Sequence, residues 1–334
     1  MSPQRGDPAP LFVAPAPDGT PFRLDSVAGR YVVLSFLGSA AGPSGGLFEA
    51  VARTDPTPFD DRRATFVGVG TGPPAAALRA VPAGMRYARD PSGAIARAYG
   101  HPATYVLSPN LRVLGRHPAT DLTPQSVVDL VTGLPALDAA GLDAPVLIVP
   151  DVVEPALCDE LIRHHARTGG QPSGLMRATP DGRVALVDDP TFKRRRDVVI
   201  ADDVLRQELR ERIVRRLVPE IRKAFQFDAT RIERYLVARY DADERGFFRA
   251  HRDNTTPATA HRRFAVSINL NTGEYEGGQL RFPEFSTRRY DVPAGGALVF
   301  SCSLQHEVTP VTQGRRYCCL PFLYDEAAAA LRTP

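Results

Sequence analysis

A chain of 334 residues, 43% hydrophobic and 24% charged, reads as ordinary globular protein and is long enough for two cores at the usual ~100 to 200 residues per domain. Its net charge of +3 is small, whereas a nucleic-acid protein normally concentrates its charge on one element, and no run approaches the ~18 consecutive apolar residues of a membrane span. The opening MSPQRGDPAPLF lacks the pattern of a secretory leader, and the four cysteines (Cys158, Cys302, Cys318, Cys319) form no C-x-x-C pair, so a cytoplasmic protein with reduced thiols is expected.

From Tyr31 the run YVVLSFLG is short, apolar and rich in β-branched and aromatic residues, which predicts a buried strand. FVGVG from Phe66 and TYVLSP from Thr104 predict two more, and LRVLGR follows a Pro109-Asn110 turn. GGLFEAVART and SGAIARAYG between them are helix-permissive, so the first part is expected to be a wound α/β domain. The segments GDPAPLFVAPAPDGTPFRLDSVAGRYVVLSFLG, RYARDPSGAIARAYG and ATYVLSPNLRVLGR resemble the peroxiredoxin and thioredoxin-like group. That resemblance implies a thioredoxin-like fold with a peroxidatic cysteine after the first core strand. Here Ser44 and Gly45 stand near that place in GSAAGPSGGLFEA, and a serine hydroxyl does not supply the thiolate needed for peroxide reduction. The expectation is a redoxin fold over residues 1–135 without redoxin chemistry, acting as a structural or docking module.

TGLPALDAAGLD, punctuated by Pro and Gly, predicts a linker over 136–143, and a second domain is expected over 144–334. It opens with a strand in APVLIVPDVV and a helix in EPALCDELIRHHART. A second helix is predicted from Asp202 to about Phe225, with Leu205, Leu209, Ile213, Leu217 and Ile221 on one face and a bend at Pro219. Between the helices, Gln171 to Asp197 shows no period, and its KRRRD reads as a solvated charged loop.

After Arg231 the pattern changes to short strands: IERYLVARY, FAVSINLN, GQLRF, GALVF and RYCCLPFLY. Consecutive strands without helices between them predict an antiparallel barrel or jelly roll, which makes the second domain α+β. Just before FAVSINLN stands His251-Arg252-Asp253, a triplet that chance alone supplies readily in a chain of this composition. It gains weight from His306, 55 residues on, because two imidazoles and one carboxylate form the facial triad of non-haem Fe(II) oxygenases. Zinc hydrolases use similar sets but need a nearby general base. Ten residues beyond His306, strand alternation places Arg316 on an otherwise apolar face with Cys318, Leu320 and Phe322, while Arg315 points away with Tyr317. A buried arginine calls for a buried anion, and its planar fork matches a carboxylate such as the distal one of 2-oxoglutarate.

Taken together, YDADERGFFRAHRD, YEGGQLRF and VPAGGALVFSCSLQHEVTPVTQGRRY resemble the 2-oxoglutarate and Fe(II)-dependent dioxygenases, in particular their prolyl 4-hydroxylase-like branch. The resemblance implies a double-stranded β-helix (jelly roll) with flanking helices, His251, Asp253 and His306 as iron ligands, and Arg316 as the partner of 2-oxoglutarate. It further implies that Tyr240, in VARYD, hydrogen-bonds the same carboxylate. The activity implied is oxidation, chiefly hydroxylation, of a C–H bond with O2 as cosubstrate and decarboxylation of 2-oxoglutarate to succinate. Asp253 stands where related halogenases carry a small residue, which favours hydroxylation. Arg252, Asn254 and Arg281, with Arg249 nearby, make a basic mouth that suits an acidic or hydroxylated substrate. A polar small molecule is preferred, because the chain shows neither a repeat nor an aromatic groove for a long peptide; a peptidyl proline is the alternative. A non-catalytic binding protein and a zinc hydrolase are the readings from other classes, and no feature fixes an oligomeric interface.

Overall fold

The computed structural model describes residues 2–38, 43–72, 82–100, 103–118, 121–138, 141–178 and 184–332. It divides into two compact units, one comprising Met1–Leu142 with Pro283–Thr287 and the other Asp143–Phe282 with Arg288–Pro334.

In the first unit, a hairpin of β1 (Val13–Pro15) and β2 (Pro21–Arg23) precedes β3 (Tyr31–Gly38), α1 (Pro43–Thr54), β4 (Ala64–Gly70) and β5 (Met85–Arg89). Then follow α2 (Ala94–Tyr99), β6 (Ala103–Leu107), β7 (Val113–Pro118) and α3 (Pro124–Thr132). The sheet runs β5-β4-β3-β6-β7, with β3 to β5 parallel and β6 and β7 antiparallel to their neighbours. A mixed sheet of this order with helices against it is the layout of a thioredoxin-like domain. Alternation along β3 sends Val32, Leu34 and Phe36 to a core with Tyr99 and Tyr105, and Tyr31, Val33 and Leu37 to another with Phe48, Val51 and Val127. The strand is apolar throughout because both faces are covered. Ser35 is the buried polar exception, and its hydroxyl meets that of Thr104 at 2.8 Å.

The sequence reading assigned neither the β1–β2 hairpin nor β5 nor α3. The last carried a legible start: Thr123 caps the helix in a capping box with Ser126, and Pro124 occupies its first turn. Of the segment where a redoxin nucleophile would stand, residues 39–42 lie outside the described residues, while Ser44 and Gly45 fall in the first turn of α1.

The second unit begins with β8 (Leu147–Val149), α4 (Pro155–Thr168), β9 (Gln171–Pro172), β10 (Leu175–Ala178), β11 (Val184–Val187), β12 (Lys193–Arg194) and β13 (Arg196–Val199). The helices α5 (Asp203–Arg212) and α6 (Val218–Phe225) follow, joined by a π-helical turn over Ile213–Leu217. The remaining strands are β14 (Arg231–Glu233), β15 (Leu236–Asp241), β16 (Phe247–His251), β17 (Phe264–Asn269), β18 (Tyr275–Gly277), β19 (Leu280–Arg281) and β20 (Arg289–Tyr290). They continue as β21 (Ala297–Ser301), β22 (His306–Val308), β23 (Val311–Cys319) and β24 (Phe322–Tyr324), before a final short helix α7 (Glu326–Ala329).

Two large antiparallel sheets result, beside a two-stranded one of β10 and β11. The larger has the path β14-β24-β17-β23-β15-β13-β9 with β8, β18 and β21 attached, and the smaller runs β12-β16-β22-β19-β20. Period-2 alternation divides the larger sheet's faces. Val237, Val266, Ile268, Tyr317 and Cys319 join one core with Leu161, Leu205, Leu209, Ile213, Leu217 and Ile221 of the helices. From the same strands, Tyr240, Ser267 and Arg316 turn to the pocket described below.

Just before Pro219, which lacks an N–H and cannot complete an i→i−4 bond, the N–H of Val218 reaches the carbonyl of Ile213 in a π turn. One expectation needs correction here. The stretch from Gln171 to Asp197, expected to be irregular, contributes β9 to β13, and KRRRD is not a solvated loop. Lys193 and Arg195 are buried, at 6% exposure each. The four cysteines are free and buried, and no helix among the described residues is long and apolar enough to cross a membrane.

Candidate metal and anion site

The smaller sheet brings the two histidines together. In the pairing of β16 with β22, His251 lies directly opposite His306, and an irregularity between Phe248 and His251 shifts the register at that point. Two residues after His251 the chain is tied again, as the N–H of Asp253 donates to the carbonyl of Cys302 at 3.0 Å. Oδ1 of Asp253 lies 3.6 Å from His251 Nε2, and Oδ2 lies 3.3 Å from His306 Nε2. One ligand atom from each of the three falls within 4.8 Å of the others.

The other nitrogen of each ring is engaged by backbone: Nδ1 of His251 is 2.7 Å from the carbonyl of Arg249, and Nδ1 of His306 is 3.1 Å from that of Leu304. A carbonyl only accepts, so Nδ1 carries the proton and Nε2 presents its lone pair to the common point. The Phe248 ring stacks on His251 with centroids 3.5 Å apart, which further fixes its orientation. His306 and Asp253 are both shifted from their ordinary values. Burial, followed by repulsion from His251, pulls His306 down to about 4. Burial alone would raise the Asp253 carboxyl, but His306 and His251 outweigh it and hold it below the usual carboxylate range. Two neutral imidazoles and one ionised carboxylate form the donor set a divalent transition metal requires, and one that suits Fe(II).

The pocket holding these residues is also lined by Arg316, Tyr240, Ser267, Arg195 and Arg234, with apolar walls from Leu280, Phe300, Val308, Leu320 and Phe322. Arg316 is 2% exposed and no carboxylate is paired with it among the described residues. One Nη donates to Ser267 Oγ and Asn269 Oδ1, both at 2.8 Å, while Nε and the other Nη are buried with no acceptor. Leaving charged donors unmatched in a protein interior is costly, so the two orphaned N–H groups mark a place for an anion. Backbone geometry makes room for this side chain: Gly278 has a φ of +69°, and a Cβ there would lie 3.0 Å from Cδ of Arg316. Arg315, by contrast, lies on the opposite face of β23 and pairs with Asp241 at 2.9 Å. Tyr240 is buried under the Arg316 guanidinium, 5.4 Å from its ring centroid, and its hydroxyl accepts from Arg195 at 3.5 Å.

Arg195 is the residue that sequence reasoning missed. It donates to both oxygens of Asp197, at 2.7 and 2.6 Å, and to Ser173 at 3.1 Å. Lys193, two residues earlier, donates to Ser173 Oγ at 2.6 Å and to the carbonyl of Gly174 at 2.9 Å. Burial, then Arg195, draws its ammonium down to about 6. Breaking the buried pair leaves a charge uncompensated, so Asp197→Ala is expected to destabilise the protein by about 3–5 kcal/mol. Burial would raise the Asp197 carboxyl, but Arg195 outweighs it and holds the group below its ordinary value. That contribution is therefore present at neutral pH and lost as pH falls through the depressed value. Denaturation midpoints of the two proteins at neutral and acid pH check both statements; equal midpoints at neutral pH would mean the pair is solvated.

The residues expected at the basic mouth have partners of their own within the protein. Arg252 donates to the carbonyl of Ser303, Asn254 donates to Ser303 Oγ at 2.8 Å, and Arg281 pairs across the sheet with Glu307 at 2.7 Å. None of the three lines the pocket with the triad. His261 is a buried histidine whose Nε2 meets a Glu233 carboxylate oxygen at 2.7 Å.

Residues 235–324 match the sequence profile of the 2OG-Fe(II) oxygenase superfamily. A PKHD-type hydroxylase of Cupriavidus metallidurans is 31% identical over 147 residues, 41% of this chain and 63% of its own length, so the chain spans less than two thirds of that relative. A prolyl-4-hydroxylase of Pseudomonas putida resembles the chain at 17% identity, covering 57% of it and 96% of its own chain, with a TM-score of 0.40. A peroxidoxin of Mycobacterium tuberculosis is 26% identical, covering 39% of this chain and 94% of its own, with a TM-score of 0.33.

Proposed function

We propose that this protein is a 2-oxoglutarate and Fe(II)-dependent dioxygenase that hydroxylates a C–H bond of a polar small molecule. The observation that carries the reading is Arg316, a buried guanidinium with two unmatched donors in the pocket that also holds the His251, Asp253 and His306 cluster. We read the two large sheets of the second unit as a double-stranded β-helix, with a redoxin-like domain over 1–135, a linker over 136–143 and the oxygenase domain over 144–334.

Bound Fe(II), with 2-oxoglutarate and O2 as cosubstrates, would supply the oxidising power for the C–H bond. The chain's own residues do the rest. His251, Asp253 and His306 would hold the metal, with the Nδ1 of each histidine already engaged by a backbone carbonyl so that its Nε2 is free to ligate. Arg316 takes the distal carboxylate of 2-oxoglutarate on Nε and Nη1 while Ser267 and Asn269 keep its remaining Nη occupied, and Tyr240 offers its hydroxyl to the same group. The apolar walls exclude bulk water from the space between. Arg252, Asn254 and Arg281 are proposed as substrate contacts at the rim. A zinc hydrolase fits less well, because Asp253 is the one carboxylate among the described residues that line the pocket, and it is a metal ligand rather than a free general base.

The test is conversion of 2-oxoglutarate to succinate that requires Fe(II) and O2 together. Succinate release stimulated by proline-containing peptides and by no small molecule would assign the peptidyl alternative that the name of the Pseudomonas relative brings to mind. A cytoplasmic location belongs to the same reading, supported by four cysteines that form no disulfide. The redoxin-like part would serve as a structural or docking module. Deleting residues 1–140 is therefore expected to reduce soluble yield, whereas full solubility and turnover in the deletion would remove that role.

A further inference from the structure

Arg234 lines the same pocket and is used by neither the metal cluster nor the 2-oxoglutarate residues. It stands in the break between β14 and β15 with a φ of +68°, a left-handed conformation that non-glycine residues seldom adopt. From there its guanidinium covers the Phe322 ring at 4.5 Å and donates through Nη2 to the carbonyl of Leu320 at 3.3 Å. Its Nε is buried and has no acceptor.

The charges around it make this position unusual. Burial, followed by repulsion from Arg195 and Arg262, lowers Arg234 to about 10. Those two neighbours are already matched, Arg195 by Asp197 and Arg262 by Glu233. A divalent iron and Arg316 together offset Asp253 and the two charges of 2-oxoglutarate, while Lys193 is drawn down to about 6. Among the described residues lining the pocket, Arg234 is then the cation left without a counter-charge. An uncompensated guanidinium beside a substrate cavity is relieved by an anion that arrives with the substrate, and its fork fits a planar carboxylate.

We propose that Arg234 anchors the substrate through a carboxylate, so that the substrate class is a small carboxylic acid whose apolar part lies against Leu320 and Phe322. The inference rests on the oxygenase reading and narrows it, since a neutral amide or an internal peptidyl proline offers no such group.

The experiment is anaerobic calorimetric titration of the full chain loaded with Fe(II) and 2-oxoglutarate, the visible charge-transfer band serving as the control for loading. The probes are the straight-chain monocarboxylates from acetate to hexanoate, their matched amides, and inorganic phosphate. Wild type is expected to bind the longer acids at least tenfold more tightly than their amides, Arg234→Gln to lose that preference, and Arg234→Lys to recover part of it. Equal binding of acids and amides, no binding of acids, an unchanged preference in Arg234→Gln, or phosphate binding in place of the acids would overturn the proposal. Failure of the band to form in wild type would instead count against the oxygenase reading beneath it, which keeps the two failures distinct. Because Gln retains an N–H for the Leu320 carbonyl, a folded variant is expected, and its melting midpoint is compared with that of wild type before the titration.

Discussion

Replacing His251 by alanine is expected to weaken Fe(II) binding by more than about 100-fold and to reduce 2-oxoglutarate turnover to background. Loss of an outer-shell partner alone typically costs 10–100-fold in metal affinity, and His251 is placed in the inner set. Its Nε2 is aimed at the common point by the Arg249 carbonyl behind Nδ1 and by the Phe248 stack, so no neighbouring group substitutes for it. Equilibrium dialysis against Fe(II) under anaerobic conditions measures the first effect and succinate release the second. An alanine variant that retained iron at wild-type affinity would show that the cluster is not the metal site.

Arg316→Met is expected to produce the second large effect, of a different kind. Iron affinity is retained, while the apparent affinity for 2-oxoglutarate falls by about 100- to 10,000-fold. The magnitude follows from losing a paired, charge-assisted contact, each hydrogen bond of which contributes on the order of 1.5–3 kcal/mol. Arg316→Lys restores the charge without the fork, so it should recover part of the loss and not all of it. The KM for 2-oxoglutarate, measured beside the Fe(II) dissociation constant in the same variants, separates the two roles. Equal effects on metal and cosubstrate would mean that Arg316 supports the fold of the pocket rather than an anion.

How much of this was legible depended on how local each determinant is. That His251, Asp253 and His306 would meet could be read from a triplet at a strand end and a histidine at the start of a later strand, and antiparallel pairing of those two strands brings them within reach. The burial of Arg316 could be read from its apolar companions at alternate positions in RYCCLPF. Arg195 could not be read in the same way. Four cations in five residues look solvated, and what buries this one is Asp197 beside it together with Tyr240, which lies 45 residues away in the sequence. Arg234 was hidden by the appearance of IERYLVARY as one uninterrupted strand. The break there is made by an arginine at positive φ, with no glycine or asparagine to announce it. Arg252 and Asn254 flank a ligand in sequence, and Arg281 lies on a strand of the same sheet. Adjacent residues on an extended chain point to opposite faces, and all three found partners in Ser303 or Glu307 rather than a place in the pocket. In the first unit, the absence of a cysteine near Ser44 was plain from composition alone, whereas α3 was overlooked despite its Thr-Pro start.

The most direct measurement is an anaerobic titration of the apoprotein with Fe(II) and 2-oxoglutarate, followed by the weak visible metal-to-ligand charge-transfer band and repeated in His251→Ala and Arg316→Ala. The oxygenase reading predicts a band that requires Fe(II) and 2-oxoglutarate together, is absent in the first variant and needs far more 2-oxoglutarate in the second. Iron bound by the wild-type protein with no band at saturating 2-oxoglutarate would contradict it.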